Sequence, residues 1–129
     1  MSTRANVIIK DRYGQVWFYR HSDGYPEGTM PTLEKFLDLV KSGKIRDNVS
    51  QASGWLIIMG AEEYKAAQIK DKSYEGLTEQ EEKEWRNKIP TEPKDWKVGA
   101  YEPTTGQHGD IEFLYTIDLD KKTISQESI

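Results

Sequence analysis

"ANVIIKDRYGQVWFYRH", residues 5–21, decides the fold. It holds two β-branched and aromatic runs, Asn6 to Lys10 and Gln15 to Arg20, separated by the turn-like Asp11-Arg12-Tyr13-Gly14. The pattern predicts a β-hairpin. Along the second run Val16, Phe18 and Arg20 point to one face while Trp17, Tyr19 and His21 point to the other, so both faces carry aromatic rings. A strand of that kind belongs inside a sheet.

After the Gly- and Pro-bearing "SDGYPEGT" the period changes. Leu33, Phe36, Leu37 and Val40 fall at i, i+3, i+4 and i+7, with Pro31 suited to a first turn and Gly43 to a C-terminal stop, which predicts a helix over about 31–42. The following "GWLIIMG" alone reads equally as a buried strand bounded by glycines. Length favours a second helix, because Val49, Ala52, Leu56 and Met59 keep helical spacing, Asp47 or Asn48 can cap its start, and "AEEYKAA" is rich in helix formers. Gly60 marks a candidate interruption.

Residues 70–97 are polar and charged. Thr78 with Glu81 has capping-box spacing, so this insertion reads either as a short surface helix or as a mobile excursion, followed by the extended "IPTEPKDW". Strand signals return in "WKVGAYEP" and "IEFLYTIDL", which flank "TTGQHGD", and in "KKTISQ" beyond a tight turn. Ile111, Phe113, Tyr115 and Ile117 give the middle run one apolar face. This order of elements predicts an α+β domain covering 1–129. Its antiparallel sheet of about five strands would combine the N-terminal hairpin with the C-terminal strands, with two or three helices packed on one face.

The composition narrows the function. A chain of 129 residues with 11% aromatic residues can bury a core, and a formal net charge of −4 gives no general attraction to nucleic acid or anionic lipid. No cysteine is present, which removes disulfides, thiol nucleophiles and cysteine-bound metals and fits a cytoplasmic location. The longest apolar run, Trp55 to Met59, is far below the ~20 residues of a membrane-spanning helix, and the first residues lack the pattern of a secretory signal.

The two histidines head similar triplets, His21-Ser22-Asp23 and His108-Gly109-Asp110. Residues two apart on an extended chain share a face, so each pair offers a nitrogen and a carboxylate to one divalent metal or reacting group. A metal-dependent hydrolase or nuclease with His21, Asp23, His108 and Asp110 as ligands is therefore one reading. The plainer reading is two turns, since Asp23-Gly24 and Gly109-Asp110 are ordinary turn chemistry. Tyr25 and Pro26 beside Arg20, His21 and Glu27 offer a mixed platform for a partner, or simply a rigid strand-to-helix connection.

Other chemistry is excluded by pattern. The chain contains no GxxxxGK[ST], GxGxxG, HExxH or GxSxG, and no spacing pairs Ser22, Ser50 or Ser53 with a base. The run "EQEEKEW" reads either as a mimic of nucleic-acid phosphates or, more plainly given the interspersed Lys83, Arg86 and Lys88, as a salt-bridged face, and Lys41, Lys44 and Arg46 are too few for a nucleic-acid surface.

The segments "STRANVIIKD", "FYRHSDGYPEG", "YEP" and "HGDIEFLYTID" resemble a group of small bacteriophage and prophage proteins. The resemblance spans both ends of the chain and is thin over 65–95. It implies a soluble accessory protein made inside a bacterial host and acting as an interaction module on host factors, and it carries over no catalytic residue. With catalytic signatures missing, the sequence favours a non-enzymatic, protein-binding module without a cofactor. Its expected contact surface comprises Arg20, His21, Asp23, Tyr25, His108 and Asp110. Small-ligand binding in a cleft between sheet and helices is a third reading.

Overall fold

The computed structural model describes residues 2–73, 76, 78–87 and 99–129. The hairpin forms as expected, with β1 (Ala5–Asp11) antiparallel to β2 (Gly14–Arg20) and Asp11 opposite Gly14. Its two loop residues, Arg12 and Tyr13, keep negative φ, so the turn is not of the primed kind that glycine or asparagine supports. Asp11 supplies what the backbone lacks: Oδ1 accepts the amides of Tyr13 at 2.7 Å and Gly14 at 3.0 Å.

The other carboxylate oxygen of Asp11 accepts the amide of Val49 at 2.9 Å, the first residue of helix α2 (Val49–Ser73). Asn48 caps the same helix, accepting from Ser50 and Gln51. Asp11 therefore pins a hairpin turn to a helix start 38 residues away. The amides of Val49, Tyr13 and Gly14 hold its carboxyl below the ordinary aspartate value. A depressed pKa in the folded state contributes stability that is present above about pH 4 and is lost as pH falls through the lowered value. Asp11→Ala is thus expected to lose less thermal stability than the wild type between about pH 5 and pH 3. Melting curves over that range check it, and equal losses in both proteins would deny Asp11 the role.

Helix α1 (Pro26–Lys41) carries the predicted stripe, and Leu33, Phe36, Leu37 and Val40 are all buried. It starts five residues before the expected position 31. Pro26 occupies the first turn, where its missing N–H costs nothing, and Pro31 lies inside the helix. The stop is as read, with Gly43 at φ 78° and the amides of Gly43, Lys44 and Ile45 returned to Val40 and Leu39 carbonyls.

Helix α2 runs through "GWLIIMG" without the interruption considered at Gly60. There the missing side chain serves contact, because a Cβ would lie 2.8 Å from the Tyr101 ring, and the Ala100 amide reaches the Gly60 carbonyl. Helix α3 (Glu79–Asn87) begins with the predicted capping box: the Glu81 amide donates to Thr78 Oγ1, while Glu81 Oε1 accepts from the Thr78 amide and hydroxyl. The loop read at 89–96 and the first three residues of the strand read at 96–103 lie outside the described residues, as does much of the insertion at 70–97.

Strands β3 (Glu102–Thr104), β4 (Phe113–Asp118) and β5 (Thr123–Ser128) complete one sheet in the order β3-β2-β1-β4-β5. The expectation of an antiparallel sheet is corrected here: β1 and β4 pair in parallel, with Val7 opposite Tyr115, so the sheet is mixed. The cause lies in the path of the chain. Since β3 is antiparallel to β2, it runs in the direction of β1, and the chain must return before β4 can start beside Ala5. Residues 105–112 make that return across the face of the sheet away from the helices.

The other face holds the core. Val7, Ile9, Phe18, Tyr115 and Ile117 project toward α1 and α2, where they meet Leu33, Phe36, Ala52 and Leu56. Among the described residues no helix is long and apolar enough to cross a membrane.

Candidate functional site

Strand alternation places Asn6, Trp17, Tyr19 and Thr104 on the face opposite the core. The 105–112 segment lies over this face and is fastened from below. Asn6, fully buried, accepts the His108 amide on Oδ1 at 2.8 Å and donates from Nδ2 to the Phe18 carbonyl at 2.9 Å. At the segment's end the Glu112 amide donates to the Arg4 carbonyl, and Arg4 pairs with Asp110 at 2.6 Å.

The two histidines meet at a residue that sequence reasoning did not single out. The Tyr19 ring stacks on His108 with centroids 4.1 Å apart and planes 14° from parallel, and the Tyr19 hydroxyl is hydrogen-bonded to His21 Nδ1 at 3.0 Å. His108 Nε2 is bonded in turn to Thr104 Oγ1 at 2.9 Å. Burial, followed by the Asp110 charge, pushes the Tyr19 hydroxyl above its ordinary value, so it remains a neutral partner for the imidazole at physiological pH. Tyr19 shares its strand face with His21, and that alternation is the signal by which it could have been found.

Each aspartate has a partner other than the histidine of its triplet. Asp110 is engaged by Arg4. Asp23 has φ 56°, its carbonyl accepts the Thr29 hydroxyl, and its carboxylate accepts the Tyr25 hydroxyl at 3.3 Å. The repeated triplet therefore has two different local geometries. Among the described residues no group of three or more His, Asp or Glu side chains is placed to hold a metal ion.

Arg20, expected on a contact surface, is buried with 5% of its surface exposed. Its guanidinium pairs in bidentate fashion with Glu63 of α2, at 2.7 and 3.1 Å, and lies over the Tyr101 ring at 5.2 Å. Burial alone would lower its pKa, but the hydrogen bonds to Glu63, the Tyr101 hydroxyl and the Glu63 charge together outweigh burial and leave it raised. Burial likewise pushes the Tyr101 hydroxyl far upward. Arg20 also binds the carbonyls of Ser22 and Gly28, and the Gly24 carbonyl accepts the Tyr115 hydroxyl at 2.7 Å. Residues 21–28 are thus a rigid connection. They leave His21 exposed and Tyr25 39% exposed at the mouth of α1.

At the opposite end of the hairpin an open groove of about 470 Å³ lies between the β1–β2 turn and the α1–α2 connection. Its carboxylates have partners already: Asp11 the three amides, Asp120 Arg12 at 3.7 Å, and Asp47 Lys122 at 3.4 Å. No protein-family model matches the chain, and no curated protein or solved structure shows significant similarity to it.

Proposed function

We propose that the chain is a phage or prophage accessory protein, made in the bacterial cytoplasm, that works as a non-enzymatic binding module for a host protein. The observation that carries this reading is the Tyr19–His108 stack. Each ring in it is fixed by a hydrogen bond, to His21 and to Thr104, and the backbone beneath is fixed by Asn6. Aromatic and charged side chains held in one rotamer lose little entropy on association, which favours their use as contact anchors. Arg4 and Asp110 add opposite charges nearby, suited to polar rim contacts.

Within this reading His21, Asp23, Tyr25, His108 and Asp110 remain contact residues, whereas Arg20 supports them from below. Affinity capture from a bacterial lysate, followed by titration of the recovered protein, tests the assignment. A host protein should bind the wild type and bind His108→Ala about tenfold or more weakly, with the circular dichroism unchanged. Capture of no specific protein, or equal binding by His108→Ala and Tyr25→Ala, would sink the reading.

A further inference from the structure

The two edges of the sheet are built differently. Edge strand β3 has three residues and carries Pro103, a blunt end that offers little to a new strand. Edge strand β5 has six residues in unbroken register with β4, without proline or bulge, and its one charged residue is Glu127. Apart from half-buried Ile124 its side chains are exposed, so the strand is open along its length.

The register shows which backbone groups are free. Leu119 donates its amide to the Lys10 carbonyl on the β1 side, and Ile129 donates to the Glu112 carbonyl on the β5 side. Backbone direction alternates along a strand, so Thr123, Ser125 and Glu127 face β4. The N–H and C=O groups of Ile124, Gln126 and Ser128 therefore point away from the sheet. Among the described residues nothing pairs with them.

These groups match their own two-fold image. With Gln126 opposite Gln126 of a second copy, Ile124 falls opposite Ser128 and Ser125 opposite Glu127, and every outward group gains a partner, roughly six hydrogen bonds in all. No charge faces a like charge directly, because each Glu127 lies across from a serine. We propose that β5 is a dimerisation edge whose occupant is a second copy of this chain, joined antiparallel into one continuous ten-stranded sheet. The blunted β3 strands then form both outer rims. The assembly closes at two copies instead of growing into a fibre.

Sedimentation of the full chain from about 1 to 300 µM tests this, a range set to span a modest interface of this kind. The mass should rise with concentration to twice 14.9 kDa. Gln126→Pro removes an outward N–H and none of the β4 bonds, so it should leave the circular dichroism unchanged and weaken dimerisation at least tenfold. Gln126→Lys sets two ammonium groups face to face at the axis and should do the same, which covers the case in which the proline variant misfolds. Amide exchange at Ile124, Gln126 and Ser128 should slow with rising concentration while that at Ser125 stays constant. A wild type that remains monomeric, or Gln126 variants that dimerise normally, overturns the proposal. So does a dimer abolished by Trp55→Ser with Ile58→Ser on the exposed side of α2 and not by the Gln126 variants.

Discussion

Glu63→Ala is expected to lower stability by about 3 kcal/mol or more, within the range for removing one partner of a buried ion pair. The magnitude follows from what remains. Arg20 cannot shed its proton and is nearly inaccessible to water, so without Glu63 it keeps a full charge beside the Tyr101 ring, where the Tyr101 hydroxyl finds no hydrogen-bond partner among the described residues. The Ser22 and Gly28 carbonyls still accept from it, but they carry no charge to balance it. Glu63 is itself partly exposed, which places the loss toward the lower end of the range. Thermal unfolding should fall by roughly 10 °C for a domain of this size.

Two further variants separate an uncompensated charge from simple loss of packing. Glu63→Gln keeps an acceptor for the guanidinium and should lose distinctly less than Glu63→Ala. Replacing both partners, Arg20→Met with Glu63→Leu, should recover much of the loss, since apolar pairs of similar volume often equal a buried ion pair. If Glu63→Ala lost under about 1 kcal/mol, the pair would be behaving as a solvated surface bridge. The pair also reaches the proposed contact surface. Arg20 holds the carbonyls on either side of Asp23 and Tyr25, so Glu63→Ala should loosen the connection that presents His21 and Tyr25.

How far such features can be read from sequence depends on how local their cause is. The stripe of Leu33, Phe36, Leu37 and Val40, the Thr78–Glu81 box and the Asn48 cap are each fixed within eight residues, and each forms as expected. The start of α1 escaped because Pro26 reads as loop unless it is placed in a first turn. Parallel pairing of β1 with β4 has no local signature, since either direction shows the same apolar alternation. Arg20 shows a different limit. Alternation put it on one face with Val16 and Phe18 without showing which face is the core, and the partner that balances its charge there lies 43 residues away. The same alternation put Tyr19 beside His21, while its contact with His108 required the 105–112 return, which only the tertiary path provides.

That return hangs on Asn6, and Asn6→Leu is expected to release it. Leucine fills a similar volume on β1 but accepts no hydrogen bond, so the His108 amide loses its partner on a covered face, at a cost of about 1–3 kcal/mol. The Phe18 carbonyl is affected less, because it also faces β1 in the hairpin ladder. The larger consequence is positional. With Arg4–Asp110 and the Glu112 amide still holding the far end of the segment, the chain near His108 should lift while residues 110–112 stay docked. The stack on Tyr19 then opens, and the His108 ring protons, shifted upfield by the tyrosine ring current in the wild type, should move toward free-histidine positions in the proton NMR spectrum. Binding of a captured host protein should weaken as it does for His108→Ala, although His108 itself is unchanged. If the ring shifts stayed at their wild-type values in Asn6→Leu, the stack would be holding the segment rather than being held by it. In that case the order of cause would run from Tyr19 and His108 to the backbone.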